Sequence, residues 1–169
     1  MVARVPVFVS APSTLNSEQQ ESYEFIVDRV HRENFEPRAL GRSDFGSEYP
    51  LKEVFSIARH CSGGIVLGFE QVRATGAVFR PGTVEEKEQE SVSFPTPWNN
   101  LEAGILFALK IPLMVFRQAG VDGGIFGLGV SSAFVQTLPV GDLTTESVQA
   151  VEISIQNWAG KVREHYRAY

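Results

Sequence analysis

The chain has 169 residues, a formal net charge of −5, 43% hydrophobic and 21% charged residues. That length suits a single domain over 1–169, and the composition excludes a disordered or fibrous chain. The acidic balance argues against a nucleic-acid partner, because neutralising phosphates takes clustered Lys and Arg, whereas the densest charge run here is Glu85-Glu86-Lys87-Glu88-Gln89-Glu90.

From the N-terminus, Met1 to Pro6 lacks the apolar run of a signal peptide or membrane span, so a cytoplasmic protein with no membrane partner is expected. Val5-Pro6-Val7-Phe8-Val9-Ser10 reads as a buried first strand ended by Ala11-Pro12-Ser13. Residues 17–33 are helical, with Tyr23, Ile26, Val27 and Val30 at three- and four-residue steps and Ser17 able to cap. Residues 35–40 read as a second strand, placed at an edge or made irregular by Pro37. A polar loop, 41–49, leads to Pro50, which opens a helix with Leu51, Val54, Phe55 and Ala58 on one face. Cys61 is the single cysteine, which excludes an internal disulfide and fits a reducing compartment. His60 beside it is no evidence of a nucleophilic pair, since adjacent helical residues diverge. His31, His60, His165 and Cys61 are too scattered for a metal site, and none is expected.

Gly63-Gly64-Ile65-Val66-Leu67-Gly68-Phe69 is the clearest buried strand. Residues 70–95 show no clear period and read as an irregular insertion. A helix then starts at a Thr96 cap with Pro97 at its first position and runs to about Lys110, with Leu101, Ile105, Ala108 and Leu109 expected to face inward. Residues 111–116 and 133–138 read as two further strands, and a glycine-rich segment, 120–129, lies between them as a flexible turn. Residues 144–166 close the chain as an amphipathic helix striped by Val148, Val151, Ile155, Trp158 and Val162. Strands alternating with helices give an α/β class: a flavodoxin-like, doubly wound, mainly parallel sheet of about five strands with helices on both faces. The order 2-1-3-4-5 is taken by analogy with such folds, in which ligands gather beyond the carboxyl ends of the strands.

Trp98 and Glu102 lie four residues apart on one helix face, near the edge where that fold binds ligands. An aromatic surface beside a carboxylate suits a sugar or nucleotide; a tryptophan that only anchors the helix to the core would look the same in sequence. The G-x-G-x-x-G and Walker A patterns are absent, which removes the usual signatures of hydride and phosphoryl transfer. A lone glutamate suits cleavage of an N-glycosidic bond, whose oxocarbenium-like transition state a carboxylate stabilises or traps.

Val7-Phe8-Val9-Ser10, the loop at 41–49, Ile65-Val66-Leu67 and Trp98-Asn99-Asn100-Leu101-Glu102 together resemble a Toll/interleukin-1 receptor (TIR) domain, the last matching its W-x-x-x-E pattern. The resemblance implies NAD⁺ cleavage with Glu102 as the catalytic carboxylate and NAD as substrate, no cofactor being required. It also implies substrate contacts from Ser10, Ala11, Pro12 and Ser13, from Arg42 and Phe45, and from Trp98, while Phe69 and Asn99 are expected to contact substrate because their segments should reach the carboxyl edge of the sheet. A homo-oligomer, contacts through Phe45 and Tyr49, and a role in bacterial nucleotide signalling or antiphage defence follow from the same resemblance. Two departures stand out: Ser10-Ala11-Pro12 replaces the family's S-Y-x-x-x-D, and the insertion at 70–95 is long. Glu102-Ala103-Gly104 and Lys110-Ile111-Pro112 also resemble nucleoside 2-deoxyribosyltransferases and nucleotide N-glycosidases, which implies the same glutamate acting on another substrate. A non-catalytic nucleotide-sensing or scaffold module is the third alternative. Its support is that sequence places no second acid beside Glu102, with Asp44, Glu48 and Glu70 the candidates.

Overall fold

The computed structural model describes residues 4–41, 44, 49–131 and 133–168. In chain order its elements are β1 (Val5–Ser10), α1 (Ser17–Arg32), β2 (Phe35–Arg38), α2 (Pro50–Ala58), β3 (Gly64–Gly68), β4 (Val72–Phe79), β5 (Lys87–Phe94), α3 (Pro97–Ala108), β6 (Leu113–Gln118), a 3-10 turn (Gly124–Phe126), β7 (Val135–Leu138) and α4 (Thr145–Arg167). Five strands form a parallel sheet in the order β2-β1-β3-β6-β7, the doubly wound arrangement expected. Pro37 sits on β2, an edge strand, where its missing N–H costs no ladder bond in the sheet interior.

β3 lies at the centre of the sheet and is buried along its whole length, so it must be apolar on both faces. One face packs with α1 and α4 through Val9, Ile26, Leu67, Phe116 and Ile155; the other packs with α2 and α3 through Phe8, Val54, Val66, Leu106 and Val115. The α1 cap is Asn16, one residue before the predicted Ser17: its side chain accepts from Gln19 N and Gln19 returns a bond to the Asn16 N–H.

The insertion at 70–95 is not irregular. It is an antiparallel hairpin, β4 on β5, registered from Val72 opposite Phe94 to Phe79 opposite Lys87. One face does alternate, with Val72, Ala74, Gly76 and Val78 beside Phe94, Val92, Glu90 and Glu88. Small and acidic residues dilute the pattern, and both faces of the hairpin are largely open to solvent, so no strong inside-outside period was imposed on the sequence. Its base is tied to the body where Gln71 N donates to Phe94 O and Ser93 bridges Val121.

Close approach of helix and turn to β3 requires glycine at its ends. A Cβ on Gly64 would stand 2.8 Å from Leu106 Cδ1, and one on Gly68 only 2.3 Å from Phe126 Cε1. Phe126 is fully buried and cannot swing aside. Gly68→Ala is therefore expected to cost roughly 1–3 kcal/mol, read as a lower urea midpoint with unchanged slope; an unaltered midpoint would contradict this packing.

Candidate active site

α3 begins at the carboxyl edge of the sheet because the hairpin returns the chain there after β3. Thr96 caps it by accepting from Asn99 N at 3.3 Å, with Pro97 in the first turn, as the sequence indicates. The inward face differs from expectation. Asn99, Ala103 and Leu106 point into the protein, whereas Leu101 and Ala108 are exposed and Ile105 is half-buried. α3 is apolar on nearly every side, so hydrophobic spacing could not decide which face packs.

Turning Asn99 inward assembles the site. Asn99 is 1% exposed, and its amide nitrogen donates to Ser10 Oγ at 2.9 Å. The Thr96 hydroxyl donates to Asn99 Oδ1 at 3.0 Å, which fixes the orientation of that amide. Ser10, the last residue of β1 and also 1% exposed, is hydrogen-bonded to the Glu102 carboxylate. With Asn99 occupying an acceptor position on Ser10, the hydroxyl proton is free to point at Glu102. Burial pushes the Glu102 carboxyl up from 4.5 to about 7, while the Ser10 hydrogen bond acts in the opposite sense. The result is a half-buried carboxyl that changes charge near neutral pH, at the point where β1 and β3 carry the chain to opposite sides of the sheet.

Ser10→Ala removes the one interaction that favours the anion. The Glu102 carboxyl is expected to move further above 7, measured by NMR titration of ¹³C-labelled glutamate side chains; a fall, or no change, would contradict the assignment.

The other predicted site residues divide sharply. Ser10, Asn99 and Glu102 come together. Ala11 is half-buried against the core, Pro12 is buried and Ser13 is exposed, so only Ser13 of these offers an open side chain at the end of β1. Trp98 is 43% exposed, so part of it is open to solvent one turn from Glu102. Phe69 is a correction: it is fully buried among Val9, Phe116 and Leu138 and presents no surface to a ligand. Arg42 and Phe45 lie outside the described residues, as does Glu48.

The candidate second acids are engaged elsewhere. Asp44 takes both Nε and Nη2 of Arg38. Glu70 accepts from Ser93 Oγ and pairs with Arg73, and these bonds hold its carboxyl below the ordinary range, so it is ionised at neutral pH. Cys61 is buried with its thiol pushed up to about 12, the state of an inert core cysteine. Among the described residues no group of three or more His, Cys, Asp or Glu is placed to hold a metal, and no helix is long and apolar enough to cross a membrane.

Sequence reasoning missed Asn100. Its Oδ1 accepts from Ile125 N at 2.9 Å, and Gly124, at φ +56°, would drive a Cβ to 2.0 Å from that oxygen. Within the glycine-rich segment, Gly124-Ile125 thus docks on the start of α3. The adjacent Asn-Asn pair was the available signal, with one amide turned inward and one toward this turn. A cavity of about 900 Å³ opens at the other end of the sheet, among Phe107, Ile111, Met114, Gln136 and Trp158, and contains none of the Glu102 group.

Neither a protein-family model nor a curated protein matches the chain. Among solved structures, that of the CMP N-glycosidase BcmB from Clostridium botulinum superposes with a TM-score of 0.51, over 88% of this chain and 98% of that chain, at 10% sequence identity. The two chains share a fold. At that identity the likeness establishes the α/β architecture and not the activity. Nothing in the comparisons supports the resemblance to TIR domains.

Proposed function

We propose that this protein is an N-glycosidase that breaks the bond between a base and its ribose in a nucleotide, with Glu102 as the carboxylate that meets the sugar. The observation that carries this reading is the Glu102 carboxyl, raised to about 7 and hydrogen-bonded to Ser10 at the carboxyl edge of the sheet. A fold shared with a protein described as a CMP N-glycosidase supports the same chemistry.

In the ionised state, the carboxylate lies against the developing positive charge at C1′ and attacks that carbon as the C1′–N bond breaks. The bonding pair leaves with the base, which takes a proton from solvent. Water then attacks C1′, the glycosyl ester to Glu102 breaks, and ribose phosphate departs with the hydroxyl while the second proton returns to solvent. Ser10 and Asn99 are buried and act as positioning residues: they fix the carboxylate and favour its anion rather than contact the sugar. Trp98, exposed on the same helix, offers a flat surface for the base.

Incubation with CMP, other nucleotides, free nucleosides and NAD⁺, followed by chromatography for free base, tests the proposal. Base released from a nucleotide is the expected result. Nicotinamide release with the nucleotides intact would move the substrate to NAD⁺ and the same carboxylate. Base transfer to an added nucleoside acceptor would indicate a transferase, and no turnover of any bound compound would leave a sensing module.

A further inference from the structure

We propose that the cavity at the far end of the sheet from Glu102 is a second ligand site, which takes a small molecule with an apolar body and one acidic group. Its volume, about 900 Å³, falls in the range of small-molecule sites, which are mostly apolar with a few polar groups that fix orientation. Ile111, Met114 and Trp158 wall it. The Trp158 side chain is buried, and its indole N–H donates to Pro112 O at 2.9 Å, so the ring is a fixed wall with its one donor already used. Phe107 and Phe134 also line the cavity yet stand 56% and 74% exposed, apolar area that a bound molecule would cover.

Three further residues give the occupant its polar groups. Lys110 and Lys161 line the same cavity, one just after α3 and one on α4. Among the described residues neither forms a salt bridge, although the chain has 20 Asp and Glu against 15 Lys and Arg. Two unpaired cations beside apolar walls suit an anionic head on an apolar body. Lys110 also holds φ +58°, the left-handed conformation in which helices commonly end on glycine; a lysine there bears strain and keeps a cationic side chain at the cavity. Gln136, on β7, lines the cavity too, and among the described residues its buried Oε1 has no hydrogen-bond partner. A buried acceptor without a donor is costly, and half a turn of the amide about its last torsion would bring that oxygen to a donor on the ligand. The cavity contains none of the Glu102 group, so a ligand there is compatible with either outcome of the base-release assay.

Fluorescence titration of the full chain with anilinonaphthalene sulfonate, and with its uncharged parent phenylnaphthylamine, is the test. The sulfonate is expected to saturate a single site per chain. Lys161→Glu should weaken it by about tenfold, because the reversal turns an attraction into a repulsion, and should leave the uncharged parent within about twofold. Ala108→Trp, which adds an indole at the cavity from an exposed position, should weaken both. Glu102→Gln should weaken neither. Lys161 and Ala108 are exposed, so both variants are expected to fold, which far-UV circular dichroism checks. Absence of a saturable site, or a sulfonate affinity that Lys161→Glu and Ala108→Trp leave unchanged in folded protein, would overturn the proposal. Loss of sulfonate binding in Glu102→Gln would overturn it too, since that would place the probe at the other end of the sheet.

Discussion

Glu102→Gln is expected to reduce base release by on the order of a thousandfold or more, because the amide keeps the shape of the side chain but neither attacks C1′ nor neutralises its charge. The fold should survive intact. Glu102 is only half-buried, and Gln can still accept the hydrogen bond from Ser10. Comparison of initial rates for native and variant protein at matched circular dichroism checks this. A loss confined to KM would place Glu102 in binding rather than chemistry, whereas a fall in kcat is expected.

The same substitution is expected to stabilise the protein at alkaline pH. Below about pH 4 the carboxyl is protonated in both folded and unfolded states and contributes nothing. As pH rises through 4.5 the unfolded chain releases the proton, while the folded chain holds it until about 7. Stability is therefore lost progressively across that window, and the loss is complete above it. The full difference corresponds to about 3 kcal/mol, reduced by solvent around a half-buried group to roughly 1–3 kcal/mol. Urea unfolding at pH 5 and pH 8 should show the Glu102→Gln protein gaining on the native one as pH rises. A difference that stays constant between the two pH values would contradict the raised carboxyl. Such a group is a stability cost retained at a site of chemistry.

Much of the fold was legible because its signals were local. The apolar run from Ile65 to Leu67 has to be a central strand, and Pro37 correctly marked β2 as an edge. The Thr96-Pro97 start of α3 was equally clear, since a cap and an N1 proline act within one turn. What failed was orientation. With Leu101, Ile105 and Ala108 as apolar as Ala103 and Leu106, the rotation of α3 was set by packing against β3 and by Asn99 reaching Ser10 and Leu67 O. That contact joins residues 89 positions apart, and no periodicity reports it.

The candidate site was legible as a residue and not as an arrangement. Glu102 could be named from its place on a capped helix. Its charge state could not, because the shift to about 7 comes from burial that only the assembled sheet and helix create. Ser10 and Asn99 were marked as ligand contacts, and the structure shows both buried and bonded to each other, an arrangement no sequence spacing reports. Phe69 followed the same logic and proved to be core, since the strand turns its ring inward one residue after Gly68. The hairpin at 72–94 escaped notice because neither of its faces is packed, and packing is what imposes a strong alternation.

The account turns on one carboxyl acting as an anion at a ribosyl carbon. Its most direct test is the pH dependence of kcat/KM from pH 5 to 9 on whichever compound of the panel is cleaved, run for the native protein and for Glu102→Gln. Free-enzyme groups set that profile, so the native rate should climb with pH through a midpoint near 7 and then level off, while the variant stays near background throughout. A native profile without that rise, or a variant that releases base at the native rate, would contradict the assignment of Glu102.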